Sequence, residues 1–141
     1  MFFKFKYKLL IFGIFLLLFS FSIASCVTLP SYEWKTLDLS YVVEDPNLKY
    51  PPSHVTRSFP GFHNYEKETL VMMTENKDSG YGVSSWVINE LGTDVFYEVH
   101  NSFHRLRLDY NFQVTAKLHC LIDDVCKSGF VCEFNVCTPE H

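Results

Sequence analysis

Leu106-Arg107-Leu108-Asp109-Tyr110-Asn111-Phe112-Gln113-Val114-Thr115-Ala116-Lys117-Leu118 is apolar at every even number and polar at every odd one. Seven apolar positions in strict alternation predict a long β-strand with one face on a core and the other in water. A helix is excluded, because at about 100° per residue these side chains would spread around the whole axis. Shorter strands are expected upstream at 69–74, 81–88 and 95–100, which are rich in Val, Tyr, Trp and Thr. The stretches 75–80 and 89–94 between them carry the Asn, Asp and Gly of turns, so 69–118 reads as an antiparallel meander. Residues 32–43 predict one more strand.

Between that strand and the meander lies a Pro-rich passage, 44–62, with Asp45-Pro46, Tyr50-Pro51-Pro52 and Phe59-Pro60. Proline removes ladder donors, so the passage is expected to be irregular. It is expected to wrap the sheet and bury Tyr50, Phe59 and Phe62. The mature chain contains no helix-length amphipathic stretch. The fold class predicted is therefore all-β: an antiparallel sheet or sandwich, with a small disulfide-stapled appendix at the C-terminus.

The appendix is read from Cys120, Cys126, Cys132 and Cys137, separated by five, five and four residues. Whether they form disulfides depends on the N-terminus. Lys4, Lys6 and Lys8 precede a nearly unbroken run of Leu, Ile and Phe, which ends at the small pair Ala24 and Ser25. This is the layout of a secretory signal peptide over 1–25, with cleavage expected next to Cys26. The domain organisation expected is thus a leader at 1–25, a β-sheet domain at 26–118 and a cystine-stapled segment at 119–141. Secretion to an oxidising compartment favours disulfides and leaves no membrane span after processing. The alternative location is a lipid anchor through Cys26, because Ile23-Ala24-Ser25-Cys26 resembles the lipobox of bacterial lipoproteins.

The order Cys120, Asp124, Cys126, Gly129, Cys132, Cys137 resembles the EB-type cystine modules of secreted animal proteins over about eighteen residues. The resemblance implies a disulfide motif and no particular function. Four cysteines allow three pairings, and the sequence does not choose among them. We expect Cys120 with Cys132 and Cys126 with Cys137, each closing a loop of about a dozen residues and contributing somewhat under about 3 kcal/mol. A zinc site is the rival, but structural zinc takes cysteines in closer pairs.

Candidate chemistry elsewhere is sparse. His100, His104, Arg105 and Arg107 form the most basic stretch of the mature chain and are the candidate binding residues, suited to an acidic partner or a carboxylate or sulfate ligand. No carboxylate lies within that group to complete a metal site. Nothing around Ser79, Ser84, Ser85 or Ser102 resembles a nucleophile elbow, and adjacent acids such as Asp123-Asp124 cannot flank a scissile bond. No catalytic residue, metal or cofactor is expected.

Charge narrows the partners. Without residues 1–25, nine Lys and Arg remain against sixteen Asp and Glu, and the net charge falls from -4 to about -7. Such a chain is a poor ligand for nucleic acid. Aromatic residues make up 17% of the full chain, and although seven Phe and one Tyr lie in 1–25, the rest still exceed what one small sheet needs. The surplus suits either a partner-binding face or a cavity for an apolar ligand. The function expected is a secreted, non-enzymatic protein that binds an extracellular protein, with a carrier of a lipid or small apolar ligand as the alternative. An extracellular enzyme and a protease inhibitor stand behind these.

Overall fold

β-Branched and aromatic residues in alternation give the chain its strands, and the computed structural model describes them over residues 33–141. The expected leader, its cleavage point and Cys26 lie outside the described residues. In chain order the strands are β1 (Trp34–Val43), β2 (Gly61–Glu66), β3 (Leu70–Thr74), β4 (Tyr81–Leu91), β5 (Phe96–Val99), β6 (Phe103–Arg107), β7 (Asn111–Cys120), β8 (Phe130–Glu133) and β9 (Val136–Pro139). They form a five-stranded sheet in the order β2-β1-β7-β4-β5, a β3-β6 ribbon and a β8-β9 hairpin. The fold is all-β, with disulfides in its C-terminal segment. Among the described residues, no helix is long and apolar enough to cross a membrane.

The stretch 106–118 is two strands, not one. The chain bends at Leu108–Tyr110, where the Asp109 N–H donates to the Arg107 carbonyl at 3.0 Å. β6 belongs to the ribbon and β7 to the sheet. The alternation nevertheless sorts the faces correctly, because Leu106 and Leu108 from the ribbon and Phe112, Val114, Ala116 and Leu118 from the sheet are all buried in one core. Only Tyr110, at the bend, is 45% exposed. A strand that switches layers keeps its inward phase when both layers face the same interior.

The meander is also corrected. β4 and β5 form the expected hairpin, but β3 pairs with β6 and not with β4. β7 lies between β4, to which it is antiparallel, and β1, to which it is parallel. Leu37, Leu39, Trp86 and Ile88 complete the sheet's inner face, each at most 1% exposed. Full burial of side chains this size contributes about 1.5–3 kcal/mol each, and this apolar face holds the ribbon against the sheet. The sheet's other face mixes polar side chains, with the Ser40 and Thr115 hydroxyls 3.3 Å apart across β1 and β7, with the exposed aromatics Trp34, Phe62 and Phe96.

The passage 44–60 crosses the molecule with different anchors from those expected. Tyr50, Phe59 and Phe62 are 93%, 58% and 78% exposed, whereas Leu48, Val55 and Thr56 are buried. Thr56 sits 2.6 Å from the Tyr41 hydroxyl and bridges Glu75 at the end of β3. Backbone bonds beside the inward residues tie them to the core: the Asn76 N–H donates to the Val55 carbonyl at 2.8 Å, and the Leu48 N–H to the Asp45 carbonyl at 3.2 Å. The last two residues of the expected passage 44–62, Gly61 and Phe62, instead open edge strand β2, which pairs with β1.

Two disulfides join Cys120 to Cys132 and Cys126 to Cys137. The stapled segment packs into the main core: Cys120, Val125, Cys126 and Cys137 are all buried there. The Asp45 carboxylate accepts the backbone N–H groups of Cys137 at 2.9 Å and Asn47 at 3.0 Å. Leu48 bridges Cys126, and the Lys49 N–H donates to the Val125 carbonyl at 2.9 Å.

Candidate functional site

The basic stretch lies on the β3-β6 ribbon, and its alternation separates the four residues. His104 and Leu106 turn inward, while Phe103, Arg105 and Arg107 are exposed. The His104 ring meets Tyr97 edge-on with centroids 6.2 Å apart, and burial holds its pKa below the ordinary value. His100 is exposed beyond the end of β5, near Glu98. The cluster expected from sequence is therefore two outward arginines, one inward, half-buried imidazole and one exposed imidazole.

The arginines have apolar neighbours that the sequence reading did not single out. Across the ribbon Leu70 faces Arg107, Met72 faces Arg105 and Thr74 faces Phe103. Leu70, Met72 and Phe103 are 61%, 44% and 47% exposed. Opposed side chains on one face of a strand pair lie about 5 Å apart, so these residues form a continuous surface. Arg107 is paired with Glu68 at 3.5 Å and Asp109 at 3.2 Å. Arg105 makes no ion pair among the described residues. At the Phe103 end, Arg57 extends the surface: its backbone N–H donates to Thr74 at 3.0 Å, and it lines an open pocket of about 380 Å³ with Lys77, Ser102 and Phe103. One signal for this face was present in the sequence. The run Leu70-Val71-Met72-Met73 is apolar at both parities, so a two-stranded ribbon must leave half of it outside.

A polar network lies on the other layer. The Ser85 hydroxyl, 1% exposed, donates to Glu98 Oε1 at 2.7 Å, and the Lys117 ammonium reaches Glu98 at 3.1 Å and Glu44 at 3.3 Å. The Ser85 and Lys117 hydrogen bonds hold the Glu98 carboxyl below its ordinary value, and the two carboxylates raise Lys117. A carboxylate held low in this way is a weak base for activating a hydroxyl. Among the described residues, the metal-sized group of His, Cys, Asp or Glu side chains is Cys120, Cys126 and Cys137. All three sulfurs are committed to cystine bonds and carry no thiolate.

A third surface surrounds the exposed Tyr50, where an open groove of about 310 Å³ is lined by Tyr41, Pro51 and Pro60. Compared with protein-family models, curated proteins and solved structures, the chain matches none.

Proposed function

We propose that this is a secreted, non-enzymatic protein that binds an extracellular protein partner through the outward face of β3 and β6. The observation that carries the reading is the exposed row Leu70, Met72 and Phe103 set among Arg57, Arg105 and Arg107. Apolar side chains interleaved with arginine match the composition of interface hot spots. The apolar leader, the two disulfides and the likeness of the cystine segment to EB-type modules all support an extracellular setting. The alternative, a carrier of a small apolar ligand, would line an interior space with aromatics. Tyr50, Phe59 and Phe62 instead face solvent, and Trp86 and Phe112 fill the core.

The test is binding of the purified secreted protein to cells of its own host. Saturable binding that disappears when the cells are pretreated with protease is expected. A variant carrying Leu70→Ser, Met72→Ser and Phe103→Ser should remain folded and lose that binding. Undiminished binding by the variant would remove this face from the reading, and protease-resistant binding would remove the protein partner. The intact mass of the secreted protein, before and after reduction, reports the cleavage point and any acyl group on Cys26.

A further inference from the structure

We infer that β6 is a docking edge for an extended acidic segment of the partner, which adds as a further strand beside Phe103 and Arg105. The inference rests on the protein-binding reading above and specifies how that surface is used. Its basis is the hydrogen-bond phase of the ribbon. The Leu108 N–H donates to Thr69 at 2.9 Å and the Glu75 N–H donates to Ser102 at 3.1 Å, which makes both of these opposed pairs hydrogen-bonded. In an antiparallel ladder such pairs alternate with pairs that exchange no bonds. The opposed pairs Thr74 with Phe103, Met72 with Arg105 and Leu70 with Arg107 are therefore of the second kind. Phe103 and Arg105 accordingly turn their N–H and C=O groups away from β3, toward an edge that no other described strand pairs.

An unpaired row of this kind is a template for another strand, and the side chains beside it decide which strand is admitted. Arg105 and Arg107 stand on the outward face of the edge and repel basic strands. Arg107 already shares Glu68 and Asp109, whereas the Arg105 guanidinium has no carboxylate partner among the described residues. A strand added about 4.8 Å from β6 places its outward side chain opposite Arg105 within ion-pair reach. Its inward side chains turn toward Tyr97 and His104, both half-buried at this flank. The fitting occupant alternates carboxylates facing out with apolar side chains facing in. Without residues 1–25 the chain carries a net charge of about -7, which repels acidic segments at long range, so the attraction of the edge for them is the short-range one of Arg105.

The probe is a fluorescein-labelled peptide of four Val-Glu repeats, titrated against the full secreted protein by anisotropy. Saturable binding is expected, weakened at least about tenfold by backbone N-methylation of those residues whose N–H faces β6, because each methyl group removes a ladder donor. Arg105→Glu should weaken the Val-Glu peptide by about tenfold or more, the range of one lost charge-assisted hydrogen bond, and should admit the matching Val-Lys peptide. Arg105→Pro removes the outward N–H together with the guanidinium but breaks no bond to β3, so it should preserve the circular dichroism spectrum while abolishing the peptide binding that Arg105→Ala only weakens. Absence of peptide binding, or binding indifferent to N-methylation in both registers, overturns the inference. If the Arg105→Pro protein still binds host cells saturably, strand addition is wrong and the protein-binding reading stands. If the wild-type protein binds no cell-surface protein, the reading itself fails.

Discussion

At Gly82 a single missing Cβ decides the local packing between β4 and β7. A Cβ built there would collide with the imidazole of His119, the residue paired with it across β4 and β7, and would stand 3.1 Å from Leu121 Cδ2. Gly82→Ala must displace the His119 ring, and overpacking of this kind costs about 1–3 kcal/mol. In the Gly82→Ala/His119→Ala double variant the clash has no partner. The coupling measured by urea denaturation should therefore be favourable and at least about 0.5 kcal/mol; additive single-variant effects would refute the contact. The same imidazole makes the protein acid-sensitive. Burial holds His119 below its ordinary pKa against an opposing pull from Glu75, and burial lowers His104 as well. Between the folded pKa and about 6.5 the unfolded chain binds protons that the folded chain refuses, so stability rises with pH there. That contribution is complete above about pH 6.5 and is lost as the pH falls below it. The urea midpoint should be lower at pH 5.5 than at 7.5, and His104→Gln/His119→Gln should flatten the difference. An unchanged midpoint in the wild type would contradict the lowered pKa of His104 and His119.

Among the elements, the sequence was informative about faces and poor at pairing. Extending the alternation of Leu106 back to residue 104 already places His104 with the buried set and Arg105 and Arg107 with the exposed one. That part of the site was legible; the sequence reading grouped four residues that strand geometry separates. The layer switch was not legible, because period two runs unbroken through Leu108-Asp109-Tyr110 and both layers share one interior. β2 was hidden for a different reason: its half-buried side, His63 and Tyr65, is not aliphatic, and it begins directly after Pro60. The parallel match of β1 to β7 joins strands about 75 residues apart and leaves no local trace. The disulfides differ in exposure, and that difference is testable. Cys126 and Cys137 are 3% and 2% exposed, while Cys120 is buried but its partner Cys132 is only half-buried. Thiol–disulfide exchange requires access to a sulfur. Limited reduction followed by alkylation and peptide mapping should label Cys120 and Cys132 before the other pair, and the reverse order would place the Cys132 side chain deeper than described.

For the molecule as a whole, the question is whether the stapled C-terminus can unfold separately from the β domain. A separate small lobe would be stabilised by its own staples and melt independently. Here residues Glu33–His141 form one compact unit, and the ties between the C-terminal segment and the rest are numerous. Asp45 holds the Cys137 amide, Asn47 accepts from the Lys127 N–H at 2.8 Å, and the Tyr81 hydroxyl donates to Lys49, whose own N–H reaches Val125. Loss of 120–141 would expose Leu48 and leave the Asp45 carboxylate without its Cys137 donor. The half-buried Asp45 keeps its Asn47 donor, so the larger cost is the apolar area exposed where Leu48 and the core meet Val125, Cys126 and Cys137. Stability of only about 5–15 kcal/mol for a domain this size cannot absorb many such losses. The chain should consequently unfold in one step with its disulfides intact, and a chain ending at residue 119 should not fold. The check is a urea titration in a Trp34→Phe background, with Trp86 fluorescence reporting the core and the Cys137 amide resonance reporting the stapled segment. Coincident midpoints are expected for a two-state domain. Loss of the Cys137 signal at lower urea than the Trp86 transition would mean that the segment opens first, and the β domain would then be the independent unit.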